Sequence, residues 1–297
     1  MTEVTIKSYG KINLSLDISG IREDGYHIVD TVMQKISLCD EVSVRWKPSK
    51  EKNIKIELQS NKSFLPKDER NIAYKAAAFM SENFAEKVGG GKLEIYLQKY
   101  IPVSAGLAGG SGNGAAVITA LNRLWNINVG ARELCRIGSK IGADVPFCIL
   151  TQNSRYGCAL GEGTGADITV IKSKFKKAVM LVKPSFGVST KEVYEGIDNC
   201  NIQIRPKTTT LIEGLIHNNR QVVYDNMVNV LETYTLNKYQ EVNNIKNKII
   251  EETAAEKVLM TGSGPTVFGL FSNIDQARQG CEHMRKQGYE AYWAKML

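Results

Sequence analysis

The sequence predicts an α+β protein with two domains, and three observations support this prediction. Most of the first sixty residues alternate apolar and polar side chains, which is the period of half-buried strands. Segments with helical spacing dominate after residue 70. The last forty residues follow the pattern strand, glycine turn, strand, helix, strand. We therefore expect antiparallel sheet with helices on one face, and domains at 1–155 and 156–297.

The N-terminal half contains most of the predicted strands. The first predicted strand is interrupted near Gly10. Asn71 lies where it can cap the first predicted helix. The predicted strands are 4–18, 30–33, 41–46, 54–58, 92–98 and 156–163. The predicted helices are 72–84, 115–125 and 133–141.

The C-terminal half opens with a strand of consecutive apolar residues and continues with a long helical region. Its predicted elements are a strand at 178–183, helical spacing through 209–253, strands at 257–260 and 266–271, a helix at 275–287 and a strand at 289–295. Lysines between 172 and 177 indicate a solvated turn. This order of elements supports a separate C-terminal α+β layer.

A glycine-rich segment, residues 102–116, joins the strand 92–98 to the helix 115–125. It carries five glycines, Gly106, Gly109, Gly110, Gly112 and Gly114. Exposed N–H groups and the positive end of the helix dipole attract anions, phosphate above all. Glycine also lets a ligand approach the backbone closely. A flexible strand-to-helix turn is the alternative, but five glycines beside a serine and an asparagine favour phosphate binding.

This segment differs from the two commonest phosphate-binding loops. A Walker A loop ends in Gly-Lys-Ser/Thr, and no lysine followed by Ser or Thr closes the segment. The spacing of its glycines does not match the dinucleotide fingerprint Gly-x-Gly-x-x-Gly either. A different kind of phosphate loop is therefore predicted.

Composition narrows the remaining function classes. The 297 residues carry a formal net charge of +7, without the lysine- or arginine-rich run that nucleic-acid binding favours. The six cysteines are scattered, which is typical of reduced thiols, and the three histidines show no metal-ligand spacing. No run of 18 apolar residues occurs. We expect a cytoplasmic protein that binds a small molecule, and neither nucleic acid nor membrane.

The glycine segment resembles the phosphate loop of the GHMP kinases, which wraps the triphosphate of ATP. Six further stretches resemble the signatures of one family among them, the 4-diphosphocytidyl-2-C-methyl-D-erythritol kinases. They are Lys11-Ile-Asn13-Leu, Asp24-Gly-Tyr-His27, Gly142-Ala-Asp144-Val-Pro-Phe147, Gly161-Glu-Gly163, Gly187-Val-Ser-Thr190 and Thr261-Gly-Ser-Gly-Pro-Thr266. The second and third of these stretches are the specific ones, while the last is shared across GHMP kinases.

The resemblance implies the two-domain GHMP kinase fold, with an N-terminal domain like ribosomal protein S5 domain 2 and a C-terminal ferredoxin-like domain. It implies transfer of phosphate from ATP, with Mg²⁺, to the 2-hydroxyl of 4-diphosphocytidyl-2-C-methyl-D-erythritol in non-mevalonate isoprenoid biosynthesis. The chain would act as a monomer or homodimer.

The resemblance also assigns roles to residues. Asp144 would accept the hydroxyl proton, and Lys11 would hold Asp144 ionised and stabilise charge near the acceptor oxygen. Substrate contacts are assigned to Asn13, Tyr26, His27 and Tyr194, with His27 on the cytosine edge and the tyrosines against its ring. ATP contacts are assigned to Asn71 at adenine, Lys99 at the phosphates, and the loop residues Pro102, Val103, Ser104, Ala105, Gly106, Leu107, Ala108, Gly109, Gly110, Ser111 and Gly112. Mg²⁺ would touch Ser111, and the sequence identifies no acidic ligand for it.

Two glycines depart from the family pattern. Gly112 replaces a serine and Gly114 replaces an alanine, which predicts that restoring both side chains would tighten ATP binding or raise turnover. Two alternatives to the predicted activity remain at this point. One is a catalytically inactive paralogue that acts as a sensor or regulator, and the other is a GHMP kinase with a different acceptor. Lys11 and Asp144 argue against the first, and the Asp-Gly-Tyr-His stretch argues against the second.

Overall fold

The computed structural model describes residues 2–152 and 154–297 and divides the chain into two compact units that alternate along the sequence. Unit 1 comprises Met1–Gly10, Cys39–Pro102 and Ala108–Ser154. Unit 2 comprises Lys11–Leu38, Val103–Leu107 and Arg155–Leu297. One change of unit falls next to the predicted boundary at 155, and the assignment of domains to 1–155 and 156–297 stays a prediction.

The α+β class is confirmed. Two long strands have residues in both units: β1 (Glu3–Ile21) and β2 (His27–Pro48). The other elements of unit 1 are β3 (Ile54–Ser60), α1 (Ile72–Val88), β4 (Gly91–Gln98), α2 (Gly109–Leu124), α3 (Ala131–Ser139) and α4 (Val145–Gln152). Those of unit 2 are β5 (Cys158–Glu162), β6 (Asp167–Ile171), β7 (Ala178–Lys183), α5 (Thr190–Ile197), α6 (Thr208–His217), α7 (Arg220–Asn226), α8 (Glu232–Lys238), α9 (Gln240–Glu252), β8 (Lys257–Met260), β9 (Val267–Phe271), α10 (Ile274–Lys286) and β10 (Glu290–Lys295).

The sheet of unit 1 is built from its part of β1 and β2 together with β3 and β4. β2 runs antiparallel to β4, with Glu41 opposite Gln98, and β3 runs parallel to β4. Helix α1 begins as predicted, because the side-chain oxygen of Asn71 accepts a hydrogen bond from the N–H of Ala73 at 3.0 Å. Strand β4 ends directly before the glycine segment, so this sheet positions the start of that segment.

Unit 2 contains an antiparallel sheet of four strands in the order β10-β7-β9-β8. Numbered along the chain, these strands lie in the order 4-1-3-2. Helices α5–α9 connect the first strand to the second, and α10 connects the third to the fourth. This is the ferredoxin-like βαββαβ arrangement, which confirms the prediction for the C-terminal half. The apolar side chains of β7 and β9 are buried and belong to its core.

The structure differs from the predicted elements in several places, and it adds strand β6 and helix α5, which no predicted element covers. β1 and β2 each run through a predicted interruption without a break. Helix α2 begins at Gly109 rather than at 115, because packing compensates for the low helix propensity of its glycines: Gly112, Asn113 and Gly114 are all buried. Helix α4 was missed, since it has eight mostly apolar residues and a proline, which carry no helical period. No helix in the described part of the chain combines the length and apolar character needed to cross a membrane.

Candidate active site

The glycine segment turns into helix α2 at a point suited to an anion. Ala108 precedes the helix in the left-handed conformation, at φ 55°, and provides no side-chain cap. The first helical hydrogen bond runs from the N–H of Gly112 to the carbonyl of Ala108, at 2.8 Å. The N–H groups of Gly109, Gly110 and Ser111 therefore come before the helical ladder, at the positive end of a 16-residue helix. Such N–H groups suit a phosphate.

Lys99 lies under this turn, inside unit 1. A Cβ on Gly109 would lie 3.2 Å from Lys99 Nζ. The ammonium donates to the carboxylate of Asp40 and, at 2.9 Å, to Oδ1 of Asn113. Burial lowers the pKa of Lys99, and the adjacent carboxylate of Asp40 acts in the opposite direction. These contacts use two of the three ammonium donors, and the predicted contact of Lys99 with phosphate stays a prediction.

Asp40 connects Lys99 to the end of β4 and to helix α2. It is fully buried, and one oxygen accepts from the backbone N–H groups of Tyr100 and Ile101 at 2.7 and 2.8 Å. The other oxygen accepts from Asn113 Nδ2 at 3.0 Å, and the same Nδ2 donates to Ser8 Oγ at 3.1 Å. Ser8, Asp40, Lys99 and Asn113 are called the Lys99 cluster below. The cluster thus holds together the residues after β4 and the start of α2, the two parts of unit 1 between which the chain passes through Val103–Leu107.

The two departures from the family pattern are explained by close contacts. A Cβ on Gly112 would lie 2.5 Å from Ser8 Oγ, and a Cβ on Gly114 would lie 2.8 Å from Ile72 Cγ2. Both distances are shorter than van der Waals contact, so a serine at 112 would displace the Ser8 hydroxyl from its bond with Asn113. These contacts argue against the prediction that restoring both side chains improves ATP binding, because other atoms fill the space that those side chains would need. Nucleotide affinity itself stays a prediction.

Asp144 directly precedes helix α4 and is partly buried. Its carbonyl accepts a hydrogen bond from the N–H of Cys148 at 3.2 Å, which places the residue at the N-terminal end of the helix. The turn before it passes close to Ser111, because a Cβ on Gly142 would lie 3.9 Å from Ser111 Oγ. Unit 1 thus brings the segment 142–144 and the first turn of α2 together.

Asn71, predicted to contact adenine, has its side chain engaged in local structure. Its Oδ1 caps α1, and its Nδ2 donates to the carbonyl of Pro66 at 2.9 Å. The adenine contact stays a prediction. One N–H of the Asn71 amide is left for it.

Lys11 and Asn13 lie side by side on β1 in unit 2, on one face of the strand as their spacing predicts. Lys11 is 4% exposed, and its Nζ donates to Asn13 Oδ1 at 2.7 Å and to the carbonyl of Gly106 at 3.1 Å. Thr261 Oγ1 accepts from the N–H of Asn13 at 3.1 Å and donates to Asn13 Oδ1 at 3.0 Å. Gly106 is needed here, since its φ is 69° and a Cβ would lie 2.6 Å from the carbonyl of Thr261. Lys11, Asn13, Gly106 and Thr261 are called the Lys11 cluster.

The segment Val103–Leu107 also belongs to unit 2. The N–H of Lys11 donates to the carbonyl of Leu107 at 3.1 Å, and the side chains of Ala105 and Leu107 are buried. Only the backbone of these two residues is then available to a ligand. Ser104 is exposed and has a left-handed φ of 53°. It lies close to Gly187 of the Gly-Val-Ser stretch, since a Cβ on Gly187 would lie 3.0 Å from the Cβ of Ser104.

The predicted cytosine-binding residues lie in unit 2, and two of them are in contact. The rings of His27 and Tyr194 lie 5.1 Å apart in an edge-to-face arrangement. His27 Nε2 lies 2.9 Å from Oδ1 of Asp198. Tyr26 belongs to the turn between β1 and β2 and is 67% exposed, which leaves its ring face available. These positions are compatible with an aromatic site for a base, and the individual contacts stay predictions.

Sequence reasoning missed several residues that hold these groups. Asp40 and Ser8 carry no motif, and their partners are 59 and 105 positions away in the sequence. Asp198 likewise meets His27 across 171 positions. Thr261 could have been found, because its turn was recognised as a motif without a role being given to its side chain. In the described ranges 2–152 and 154–297, no three or more His, Cys, Asp or Glu side chains are arranged to hold a metal ion.

Two family models match the chain. The GHMP kinases N terminal domain matches residues 71–152, and the GHMP kinases C terminal domain matches residues 211–290. Among solved structures, a 4-(cytidine 5'-diphospho)-2C-methyl-D-erythritol kinase superimposes with a TM-score of 0.79 at 27% identity, covering 99% of both chains. A homoserine kinase from Cytophaga hutchinsonii shares the fold, with a TM-score of 0.73 at 18% identity over 99% of this chain and 94% of that one.

Curated relatives match over nearly the whole chain. A 4-diphosphocytidyl-2-C-methyl-D-erythritol kinase of Clostridium botulinum (strain Eklund 17B / Type B) is 44% identical over 294 residues, which is 99% of this chain and 100% of the relative. A protein of the same name from Alkaliphilus oremlandii is 44% identical over 97% of this chain and 96% of its own length. Together with the matched domain models and the fold, these findings show that the chain belongs to the 4-diphosphocytidyl-2-C-methyl-D-erythritol kinase family of the GHMP kinases.

Proposed function

We propose that this chain transfers the γ-phosphoryl group of ATP to the 2-hydroxyl of 4-diphosphocytidyl-2-C-methyl-D-erythritol, a step of non-mevalonate isoprenoid biosynthesis. The observation that carries this proposal is 44% identity to kinases of that name across both domains of the chain. The buried Lys11 cluster and the uncapped start of α2 support it, because they supply a fixed cation and an anion-binding backbone.

In the proposed reaction the 2-hydroxyl oxygen forms a bond to the γ-phosphorus while the bond from that phosphorus to ADP breaks. Asp144 takes the hydroxyl proton. Lys11 stabilises the negative charge that develops near the acceptor oxygen, and Asn13 and the Gly106 carbonyl hold its ammonium in place. The barrier is lowered mainly by positioning and electrostatics, as in phosphoryl transfer generally.

The nucleotide would be held mostly by backbone. The loop residues 102–112 would surround the phosphates, with the N–H groups at the start of α2 as donors and the third N–H of Lys99 as an additional one. Mg²⁺, when bound, would neutralise charge on the triphosphate. Oxygen donors such as the Ser111 hydroxyl suit it, and Mg²⁺ commonly takes few protein ligands when phosphates provide the others.

The acceptor would be recognised through its cytosine. His27 would bond the base edge, and Tyr26 and Tyr194 would offer ring faces, with stacking contributing about 1–3 kcal/mol per base. Asn13, whose amide has one N–H beyond its bond to Thr31 at 2.8 Å, would contact the acceptor. We further propose a cytoplasmic protein that acts as a monomer or homodimer, without nucleic acid as a partner.

A coupled assay for ADP tests the proposal. We expect ADP release only when ATP, Mg²⁺ and the cytidine substrate are all present, and a loss of about 10²–10⁴-fold in turnover for Asp144→Asn. Homoserine and mevalonate serve as control acceptors. Equal turnover of a control acceptor would contradict the assigned substrate, and no turnover of any acceptor would contradict kinase activity.

A further inference from the structure

Unit 2 contains a cavity that none of the proposed roles uses. Its volume is about 540 Å³, and its wall is formed by residues around 201–204, the segment 227–230, Glu232, Thr233 and Asn237 of helix α8, Lys246 of α9 and strand β8. This volume lies within the usual range for small-molecule sites. None of the residues assigned to ATP or to the cytidine substrate lines it.

Among the charged groups of the cavity, one ammonium, that of Lys257, forms no ion pair within the described residues. Lys246 Nζ pairs with Glu232 Oε2 at 2.6 Å, and Glu232 Oε1 accepts from the N–H of Met260 at 2.7 Å. Glu232 is therefore satisfied on both oxygens. Lys257 also lines the cavity, and within the described residues no carboxylate lies within ion-pair distance of it. Burial lowers its pKa, as does the nearby Lys246, while Glu232 and Asp225 act in the opposite direction.

The uncharged part of the wall is rich in donors and has an apolar side. Asn201, Gln203 and Thr233 contribute uncharged polar side chains to the wall, and Asn201 and Gln203 are exposed. Ile204 is 70% exposed, and the buried Leu259 continues the apolar side. A wall that combines an ammonium outside any ion pair with neutral polar groups and apolar surface suits a ligand with an acceptor-rich anionic group and a short apolar part.

We propose that this cavity is a second ligand site, which binds a small organic phosphate monoester through Lys257. The phosphate group meets Lys257 and the neutral donors, and the apolar part of the ligand lies against the side formed by Ile204 and Leu259. Lys246 and Glu232 remain paired with each other.

The cavity wall is connected to the Lys11 cluster by hydrogen bonds within unit 2. Asn229, a wall residue, donates from Nδ2 to the carbonyls of Met260 and Gly262 at 2.9 and 2.8 Å. These residues flank Thr261, whose hydroxyl holds Asn13, the partner of Lys11. Two wall residues, Asn229 and Glu232, thus bond the backbone of Met260 and Gly262, the neighbours of Thr261 in the chain. Occupancy of the cavity therefore changes turnover, a consequence that depends on the proposed kinase function, whereas binding itself does not.

Binding is tested by calorimetric titration of the full chain with n-butyl phosphate and with inorganic phosphate, in the presence of a saturating non-hydrolysable ATP analogue that occupies the nucleotide site. We expect one site per chain, tighter for n-butyl phosphate because of the apolar side, and weakened about tenfold or more by Lys257→Ala. Lys238→Ala, an exposed lysine outside the wall, is the matched control. Lys257→Gln repeats the test with side-chain volume retained. Absence of binding, or equal affinity of wild type and both Lys257 variants, overturns the proposal.

The coupling is tested by initial rates at saturating ATP and cytidine substrate, with and without n-butyl phosphate. We expect a rate change in wild type and in Lys238→Ala that disappears in Lys257→Ala. Binding that leaves the rate of an active enzyme unaltered overturns the coupling. An enzyme without turnover contradicts the proposed function, and the calorimetric result then decides the second site alone.

Discussion

Two buried lysines, Lys99 in unit 1 and Lys11 in unit 2, have nearly the same exposure and very different surroundings. Lys99 lies against the fully buried carboxylate of Asp40. The oxygens that Lys11 meets in its own cluster, Asn13 Oδ1 and the carbonyl of Gly106, are neutral. A neutral acceptor orients an ammonium without cancelling its charge, whereas a carboxylate at contact distance cancels most of it.

This difference indicates separate roles for two lysines that the sequence places equally close to motifs. Lys99 is suited to holding the end of β4 and the start of α2 together through Asp40 and Asn113. Lys11 is oriented by the side chain of Asn13 and the backbone carbonyl of Gly106. Proximity to a motif in sequence therefore does not show which groups hold a lysine inside the fold.

The largest effect is expected from removing the counter-charge of Lys99. Asp40→Asn leaves a buried ammonium without its carboxylate, and we expect the free energy of unfolding to fall by about 3–5 kcal/mol. Urea denaturation measures this change. The double variant Asp40→Asn with Lys99→Met should recover much of the loss, because no charge is then buried.

Asp68→Asn is the matched control, since Asp68 forms an exposed ion pair with Arg70 and should matter little. Equal losses from Asp40→Asn and Asp68→Asn, or no recovery in the double variant, would show that the Lys99 pair has no special structural role.

The second effect concerns catalysis and should appear only at Lys11. Lys11→Met keeps the apolar stem and removes the charge, so we expect turnover to drop by about 10²–10³-fold. Steady-state kinetics with saturating ATP and cytidine substrate measure it. Lys7→Met, an exposed lysine on the same strand, should leave turnover near that of the wild type. A Lys11→Met enzyme with more than a tenth of normal turnover would contradict an electrostatic role.

Much of the fold could be predicted from the sequence, because its signals are local. β4, β7, β8 and the start of α1 lie where alternation, apolar runs and the Asn71 cap predict them. Helix α4 and the first turns of α2 could not be predicted in this way. Their helical state depends on burial against other elements, which outweighs the low propensity of glycine and the missing period.

The candidate site was predictable only in part. Motifs identified Lys11, His27 and Asp144, but the side chains that hold such groups come from distant positions. Asp40 reaches Lys99 across 59 residues, and Thr261 reaches Asn13 across 248. Nothing in the sequence near Asp40 indicates an ion pair, because the pairing follows from the register of β2 against β4.

The third effect tests the packing of the Lys99 cluster against α2. Gly112→Ser should weaken binding of a non-hydrolysable ATP analogue or lower the free energy of unfolding, at a cost of about 1–3 kcal/mol, because its Cβ collides with the Ser8 hydroxyl. Adding Ser8→Ala should recover part of the loss, since the Ser8 Cβ lies 3.8 Å from that position. Calorimetry and urea denaturation measure the two quantities. Gly130→Ser is the control, because the space around Gly130 is open. If Gly112→Ser alone bound the nucleotide analogue more tightly, the expected collision with Ser8 would be contradicted, and the serine of the family pattern would be favourable in this chain as well.

The smallest effect should be a gain in stability at the start of α2. Ala108 has φ 55°, a conformation that costs an L-residue about 1–2 kcal/mol and glycine almost nothing. Ala108→Gly should therefore raise the free energy of unfolding, but by less than about 1 kcal/mol, because glycine also gains entropy in the unfolded chain. Thermal denaturation at matched protein concentration measures the shift. Ala85→Gly, within helix α1, should move Tm in the opposite direction, since a helical alanine gains nothing from the exchange. If both variants lost stability equally, the left-handed conformation of Ala108 would not be a source of strain. The Lys99 cluster would then hold the start of α2 without backbone strain at Ala108.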